Sequence, residues 1–335
     1  MLPVLHCVRH AQGFHNLSVE NHVLQDPLLT PFGEEQCRAL RANFPYHADV
    51  ELIVASPLRR TIYTALHSFA NIIQEKGLTV IALPEIQETS DVPCDTGSDL
   101  ADLKKEVEEK GLPVDLSLVP EDWNDKTTER WSANAKSVTV RARAARQWLK
   151  ARPEKHIAVV SHGGVLHYIS EDWQDSTLYQ GMSRSRFIRF PHILPLYWRN
   201  VGFLPLLKCA NKVTKKQPSP NNYANGRPSP KWPGTGWANT EFRTFHFTDS
   251  ADTDDLYGNK IDGDNASIRE TADSRKRRGK TVAEPPSREM QKEFFLQAIT
   301  GWETQTAEAL AADRTTGEKE RAMEIMQKQP IPTAE

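Results

Sequence analysis

The sequence predicts an α/β fold, a three-layer α/β/α sandwich around a mostly parallel central sheet. Short runs rich in β-branched residues recur at 4–8 (VLHCV), 51–56 (ELIVAS), 79–84 (TVIALP) and 156–161 (HIAVVS). Segments with helical apolar spacing lie between them, the alternation expected of parallel strands joined by crossover helices. The polar residues that handle anions follow these runs, so they gather at one end of the strands.

The elements follow in order. The first run ends in Arg9-His10. LTPFGEEQ opens a helix, because Thr30 caps it and Pro31 takes the first position, where a missing N–H costs nothing. From Leu58 to about Glu75, Ile62, Ala65, Leu66, Phe69, Ile72 and Ile73 keep helical spacing and predict one helix. A third helix covers 137–150 with Val140, Ala144, Trp148 and Leu149. Beyond about residue 180 the pattern lapses: 181–234 is dense in Pro, Asn, Lys and Arg and has no sustained period. Phe242, Phe245 and Phe247 predict a strand, 249–286 reads as polar loop, and 287–311 reads as a helix with Phe294, Phe295, Ile299 and Trp302 on one face. The expected organisation is a domain of 1–180 plus 235–311, an insertion of low order over 181–234, and a flexible tail over 312–335.

Composition narrows the partners. Across 335 residues, 42 Lys+Arg stand against 44 Asp+Glu, which gives no global pull toward nucleic acid or an anionic membrane. A hydrophobic fraction of 38% predicts segments that pack poorly. The longest apolar attempt, 187–210, is broken by Arg189, Pro191, Pro195, Arg199, Pro205 and Lys208, short of a membrane span. MLPVLHCVRH lacks the basic leader and apolar run of a signal peptide. Cys7, Cys37, Cys94 and Cys209 are dispersed, which suits a reducing compartment. A cytoplasmic protein with no nucleic-acid or membrane partner is expected; its oligomeric state is not legible. RKRRGK (275–280) is a nuclear-import candidate or a solvated surface, and DGDN (262–265) is a turn without a full calcium-loop pattern.

The stretch HCVRHAQGFHN offers His6, Cys7, His10 and His15 as metal ligands, and the rest of the chain decides against that use. In an open parallel sheet, ligands bind beyond the C-terminal strand ends. Arg9-His10, Arg59 and Arg60, Glu85, Glu88 and Asp91, and His162 of SHGG all follow strand runs. Guanidinium forks bind and neutralise phosphate. A neutral imidazole can attack phosphorus, and a second can stabilise its equatorial oxygens. A carboxylic acid can protonate the leaving oxygen and then activate water. Neither a metal nor a cofactor is needed.

VRHAQGFHN, LTPFG, SPLRRTIYTA, PEIQETSD and VVSHGG, in this order over about residues 3–175, resemble the histidine phosphatase superfamily, the phosphoglycerate mutase-like fold. The resemblance implies that His10 is the phosphorylated nucleophile. It implies a phosphate pocket of Arg9, Arg60 and His162, with Asn16 and Gly163 as further contacts. Glu88 matches the proton donor, with Asp91 as runner-up. His15 is open between touching substrate and capping the loop. Read from the residues, His6 and Cys7 are scaffold and Arg59 is a surface pair. The expected activity is metal-independent hydrolysis of a small phosphomonoester through a phosphohistidine; a phosphoglycerate-type mutase and a non-catalytic phosphate-binding protein are the alternatives. A mutase needs a closed lid and a carboxylate-recognising pocket, and no such set is legible between 89 and 135.

QGFHN and ETSDVPCDTGSD are similar to a fungal and plant-type branch of the family. In fungal members a helix like EDWQDSTLYQ leads almost directly into GWANTEFRTFHF, whereas here about fifty residues intervene, beginning GMSRSR. Gly-Met-Ser can be encoded by GGT ATG TCN, which contains the splice-donor sequence GTATGT. Residues 181 to about 233 therefore read as a translated, retained intron, with a natural insertion of low order as the alternative.

Overall fold

A computed structural model describes residues 1–18, 20–174, 236–248, 252–280 and 284–300. The strands are β1 (Val4–Arg9), β2 (Leu52–Ala55), β3 (Val80–Ala82), β4 (Val114–Asp115), β5 (His156–Ser161), β6 (Phe242–Phe247) and β7 (Ile268–Glu270). They form one sheet in the order β4-β3-β2-β5-β1-β6-β7. The pairs among β1 to β5 are parallel, while β6 runs antiparallel to β1 and β7 antiparallel to β6. All four residues of β2 and the last five of β5 are buried, so these strands read as continuous apolar runs because helices cover both faces.

Helices α1 (Pro31–Asn43), α2 (Arg59–Ser68), α3 (Ala70–Lys76), α4 (Leu100–Glu109), α5 (Ala135–Lys150), α6 (Gly163–Ser170) and α7 (Ala272–Arg277) complete the layers, with a further helix, α8, over residues 288–300. Thr30 caps α1 as expected, its hydroxyl accepting from Gly33 N at 3.0 Å, and Asn134 caps α5 in the same way from Ser137 N at 2.8 Å. The strand pleat divides the core. Leu5, Cys7, Val54, Ile157 and Val159 pack with α5 and α6, whereas Val8, Ile53, Ala55, Ala158 and Val160 pack with Leu40, Ile62 and Leu103 from α1, α2 and α4.

Register positions the site. Arg9 pairs with Ser161, and Ala55 with Val160, so β1, β2 and β5 end almost level. Their next residues, His10, Ser56 and His162, therefore emerge on one rim. The chain returns to that rim before β6: Thr240 N donates to Arg9 O, and Asn239 Nδ2 to His10 O.

Two expectations are corrected. The single helix over 58–75 is two, broken at Phe69 (φ −114°, ψ 17°), whose ring is buried edge-on against Phe44. Core packing of that ring overrides a helical period that runs on in the sequence. The expected polar loop of 249–286 holds β7 and α7, and its basic run is only partly solvated: Lys276 and Arg277 are exposed on α7 while Arg275 is buried. Arg275 is 2% exposed, Arg278 pairs with Glu270 at 2.7 Å, and Arg277 lies over the Phe242 ring. Arginine stems bury well while counting as polar in a periodicity reading.

The described residues belong to one contact unit, Met1–Thr177 with Thr235–Glu335, and the other unit, Leu178–Gly234, lies outside them. The expected insertion, the tail, Cys209 and Trp302 likewise fall outside the described residues. Among the described residues no helix is long and apolar enough to cross a membrane.

Candidate active site

His10 sits where β1 ends, 2% exposed, its own N–H donated to Ser161 O at 2.9 Å. Its Nδ1 lies 2.7 Å from the Ala11 carbonyl. A carbonyl only accepts, so that contact assigns the proton to Nδ1 and leaves a lone pair on Nε2. Two further imidazoles flank the ring, with centroids at 5.3 Å for His15 and 5.2 Å for His162. Burial, reinforced by the Arg60 charge, holds His10 and His162 well below the ordinary histidine range and takes His15 down to about 2. All three are neutral at physiological pH.

Arg60 stands in the first turn of α2, 1% exposed, donating Nη1 to Cys94 O and Nη2 to Asp95 Oδ1 at 2.8 Å. Ser90 Oγ holds the other carboxylate oxygen of Asp95 at 2.6 Å. Arg9 donates Nη1 to Trp237 O. His162 places Nε2 2.9 Å from Ser56 Oγ. Once these bonds are drawn, Arg9 Nε, Arg60 Nε, His15 Nδ1 and His162 Nδ1 stay buried without a partner. Each unpaired buried group costs about 1–3 kcal/mol, so four of them around one imidazole need a reason. A tetrahedral oxyanion, rich in acceptor oxygens, suits the guanidinium donors and the imidazoles' N–H tautomers.

Glu88 reaches the rim from the turn after β3. Its carboxylate accepts from Gly164 N at 3.1 Å, Val165 N at 2.9 Å and its neighbour Thr89 N at 2.9 Å, so it rests on the N-terminal turn of α6. Gly163 opens that helix, and Gly164 makes the approach possible, since a Cβ there would lie 2.5 Å from Glu88 Oε1. Arg141 of α5 fixes the segment by donating to the carbonyls of Glu85 (2.8 Å), Gln87 (2.6 Å) and Glu88 (2.9 Å).

The other candidates divide by place. Asp91 is exposed, and its carbonyl accepts from Thr96 Oγ1; the carboxylate of this loop that meets Arg60 belongs to Asp95. Asn16 turns Oδ1 back to accept from Gly13 N at 3.0 Å, closing its own turn beside the pocket. Arg59 pairs with Glu106 at 2.7 Å. Cys7 is fully buried, which pushes its thiol up to about 12. His6 is fully buried between Thr244 Oγ1 (3.2 Å) and His156 Nδ1 (3.1 Å). Among the described residues no three His, Cys, Asp or Glu side chains are placed to hold a metal ion.

Sequence reasoning missed Ser56, Asp95, Gly164 and Arg141. Gly164 had a signal, the second glycine of SHGG. Arg141 looked like a polar position on a helix, and nothing local marked Asp95 apart from the five other acids between 85 and 102.

A family model described as "Histidine phosphatase superfamily (branch 1)" matches residues 5–185. A Schizosaccharomyces pombe protein named "Probable phosphatase" is 31% identical over 163 residues, 48% of this chain and 73% of that protein. An Arabidopsis thaliana "Phosphoglycerate mutase-like protein" is 32% identical over 199 residues, 49% of this chain and 72% of the relative. The family match takes in more than half of the sequence and includes each of the rim residues His10, Arg60, Glu88 and His162. The chain belongs to the histidine phosphatase superfamily.

Proposed function

We propose that the chain is a phosphomonoester hydrolase that needs no metal and works through a phosphohistidine at His10 on a small phosphorylated substrate. One observation carries the reading: His10, held neutral, is surrounded by unpaired guanidinium and imidazole nitrogens suited to phosphate oxygens. In the first step the Nε2 lone pair attacks phosphorus, the ester P–O bond breaks, and the leaving oxygen takes a proton from the carboxyl of Glu88. In the second, Glu88 takes a proton from water, the water oxygen bonds to phosphorus, and the P–N bond breaks to restore His10. Arg9, Arg60 and His162, with Asn16 and the Gly163 end of α6, hold the equatorial oxygens, whose charge is spread in a loose transition state. Two guanidiniums supply the charge stabilisation that a metal gives elsewhere. The domain of 1–180 plus 235–311 carries this machinery, and 181–234 is an insertion outside it.

Hydrolysis of p-nitrophenyl phosphate in EDTA tests the reading. His10→Ala is expected to remove activity, with the chelator leaving the unsubstituted chain unaffected; activity lost to EDTA refutes metal independence. Glu88→Gln is expected to lower kcat about a hundredfold or more, and Asp91→Asn to leave it near its starting value. The reverse order would move the proton donor to Asp91.

A further inference from the structure

Lys126 is left unused by that chemistry. It lies half-buried on the loop after Trp123, its Nζ donating to Gln87 Oε1 at 2.6 Å and standing 3.4 Å from the Glu88 carbonyl. The placement is built. Gln87 is fully buried, and its amide nitrogen is spent on Trp123 O at 2.8 Å, which turns the amide oxygen toward the ammonium. Arg141 donates to the same Glu88 carbonyl, so two cations converge on one neutral oxygen. Among the described residues the polar partners of Lys126 are this carbonyl and that amide, both neutral.

An ammonium taken out of water without an anionic partner is unfavourable, and a second cation beside it makes matters worse. Burial first, then the Arg141 charge, push Lys126 down to about 7; Asp95 and Glu88 act against this and Arg60 adds to it. Lys126 in turn acts on His162. Its approach to the Glu88 carbonyl places it on the side of the site that carries Glu88. The proton donor has to meet the leaving oxygen, so a cation beside Glu88 faces the alcohol portion of a substrate and not the transferred phosphoryl group.

We propose that Lys126 forms a second anion subsite, which selects phosphomonoesters whose alcohol portion bears another negative group, a carboxylate or a further phosphate. The assignment of sides rests on the hydrolase reading above. An arriving anion supplies the partner that the fold withholds, and by favouring the charged ammonium it draws a proton onto Lys126.

Matched ligands test the subsite without turnover. Calorimetry on the complete chain carrying His10→Ala compares phosphoserine with phosphoethanolamine, and fructose bisphosphate with fructose monophosphate. The more anionic member of at least one pair is expected to bind about tenfold more tightly. Which pair responds tells carboxylate from phosphate. Adding Lys126→Met is expected to bring that ratio near unity, while Lys126→Arg, which keeps the charge, retains it. With His10 intact, the discrimination should lie in KM and not in kcat. Equal binding within both pairs overturns the proposal, as does a loss in Lys126→Met that is the same for both members. Discrimination in binding without turnover of any ester refutes the hydrolase reading instead and leaves the subsite standing.

Discussion

Four buried neutral imidazoles make the fold vulnerable to mild acid. His6, His10, His15 and His162 are 0%, 2%, 6% and 0% exposed. Burial takes His6 to about 3 and His15 to about 2, and holds His10 and His162 well below the ordinary value. The unfolded chain binds these protons near pH 6.5, where the folded chain refuses them. The stability is thus present in full above about pH 6.5 and is lost as pH falls toward the folded values. Between pH 7 and pH 5, His6 and His15 each cost about 1.9 kcal/mol, about 4 kcal/mol together, a large share of the stability of a typical domain, and His10 and His162 add to it in the same direction. Carboxylates held low, such as Glu106 and Glu171, add their losses only below about pH 4.5, so the window belongs to histidine. Asp26, raised by burial, works in the opposite direction, returning stability as pH falls from its raised folded value toward the ordinary carboxylate range. Urea unfolding followed by the fluorescence of buried Trp123, Trp131 and Trp173 measures the effect. His6→Phe keeps an apolar ring against Tyr46 and should remove about 1.9 kcal/mol of the loss between pH 7 and pH 5, whatever it costs at pH 7. A loss under about 2 kcal/mol from pH 7 to pH 5 would show that these imidazoles are not held neutral.

Gly164→Ala puts a methyl group against the Glu88 carboxylate; kcat for p-nitrophenyl phosphate should fall about tenfold or more with the urea midpoint nearly unchanged, and an unaltered kcat contradicts the placement of Glu88. Asp95→Asn keeps the shape of the Arg60 partner but removes its charge. It should cost about 3 kcal/mol in urea unfolding and raise KM; unchanged stability would mean that Arg60 does not depend on the pair. Sequencing the mature transcript tests the reading of 181 to about 233 as a retained intron: most messages should lack these codons, and messages that carry them under all growth conditions refute it.

The parts of the site visible in the sequence are those delivered by strand ends. Arg9, His10, Arg60 and His162 follow runs whose apolar character already marked them as buried strands, and register brings such residues together without further information. Glu88 was legible for the same reason, since it lies a short turn beyond β3. What stayed hidden acts across long sequence separations or through the main chain. Arg141 holds three carbonyls more than fifty residues away, and Lys126 takes its position from the amide of Gln87. Neither bond alters local periodicity or composition. The same limit explains the basic run at 275–280, whose partners Glu270, Asp172 and Tyr46 come from three different parts of the chain.

The features that cost the fold stability are those the proposed chemistry requires. A nucleophilic imidazole must be neutral, and burial among guanidiniums achieves this by making protonation unfavourable, which is the origin of the acid sensitivity. Those guanidiniums bind phosphate only if some of their donors are left unspent, and Arg9 Nε and Arg60 Nε are buried without partners while Arg9 Nη1 and both terminal nitrogens of Arg60 are tied to carbonyls or to Asp95. Lys126 follows the same rule with one difference: its tethers are neutral, so its charge stays available for whatever the alcohol portion of the substrate presents. Donors left unspent within a bonded frame are therefore shared by Arg9, Arg60 and Lys126, whereas Arg59, Arg146 and Arg278 are tied to carboxylates of the scaffold and leave no nitrogen buried without a partner.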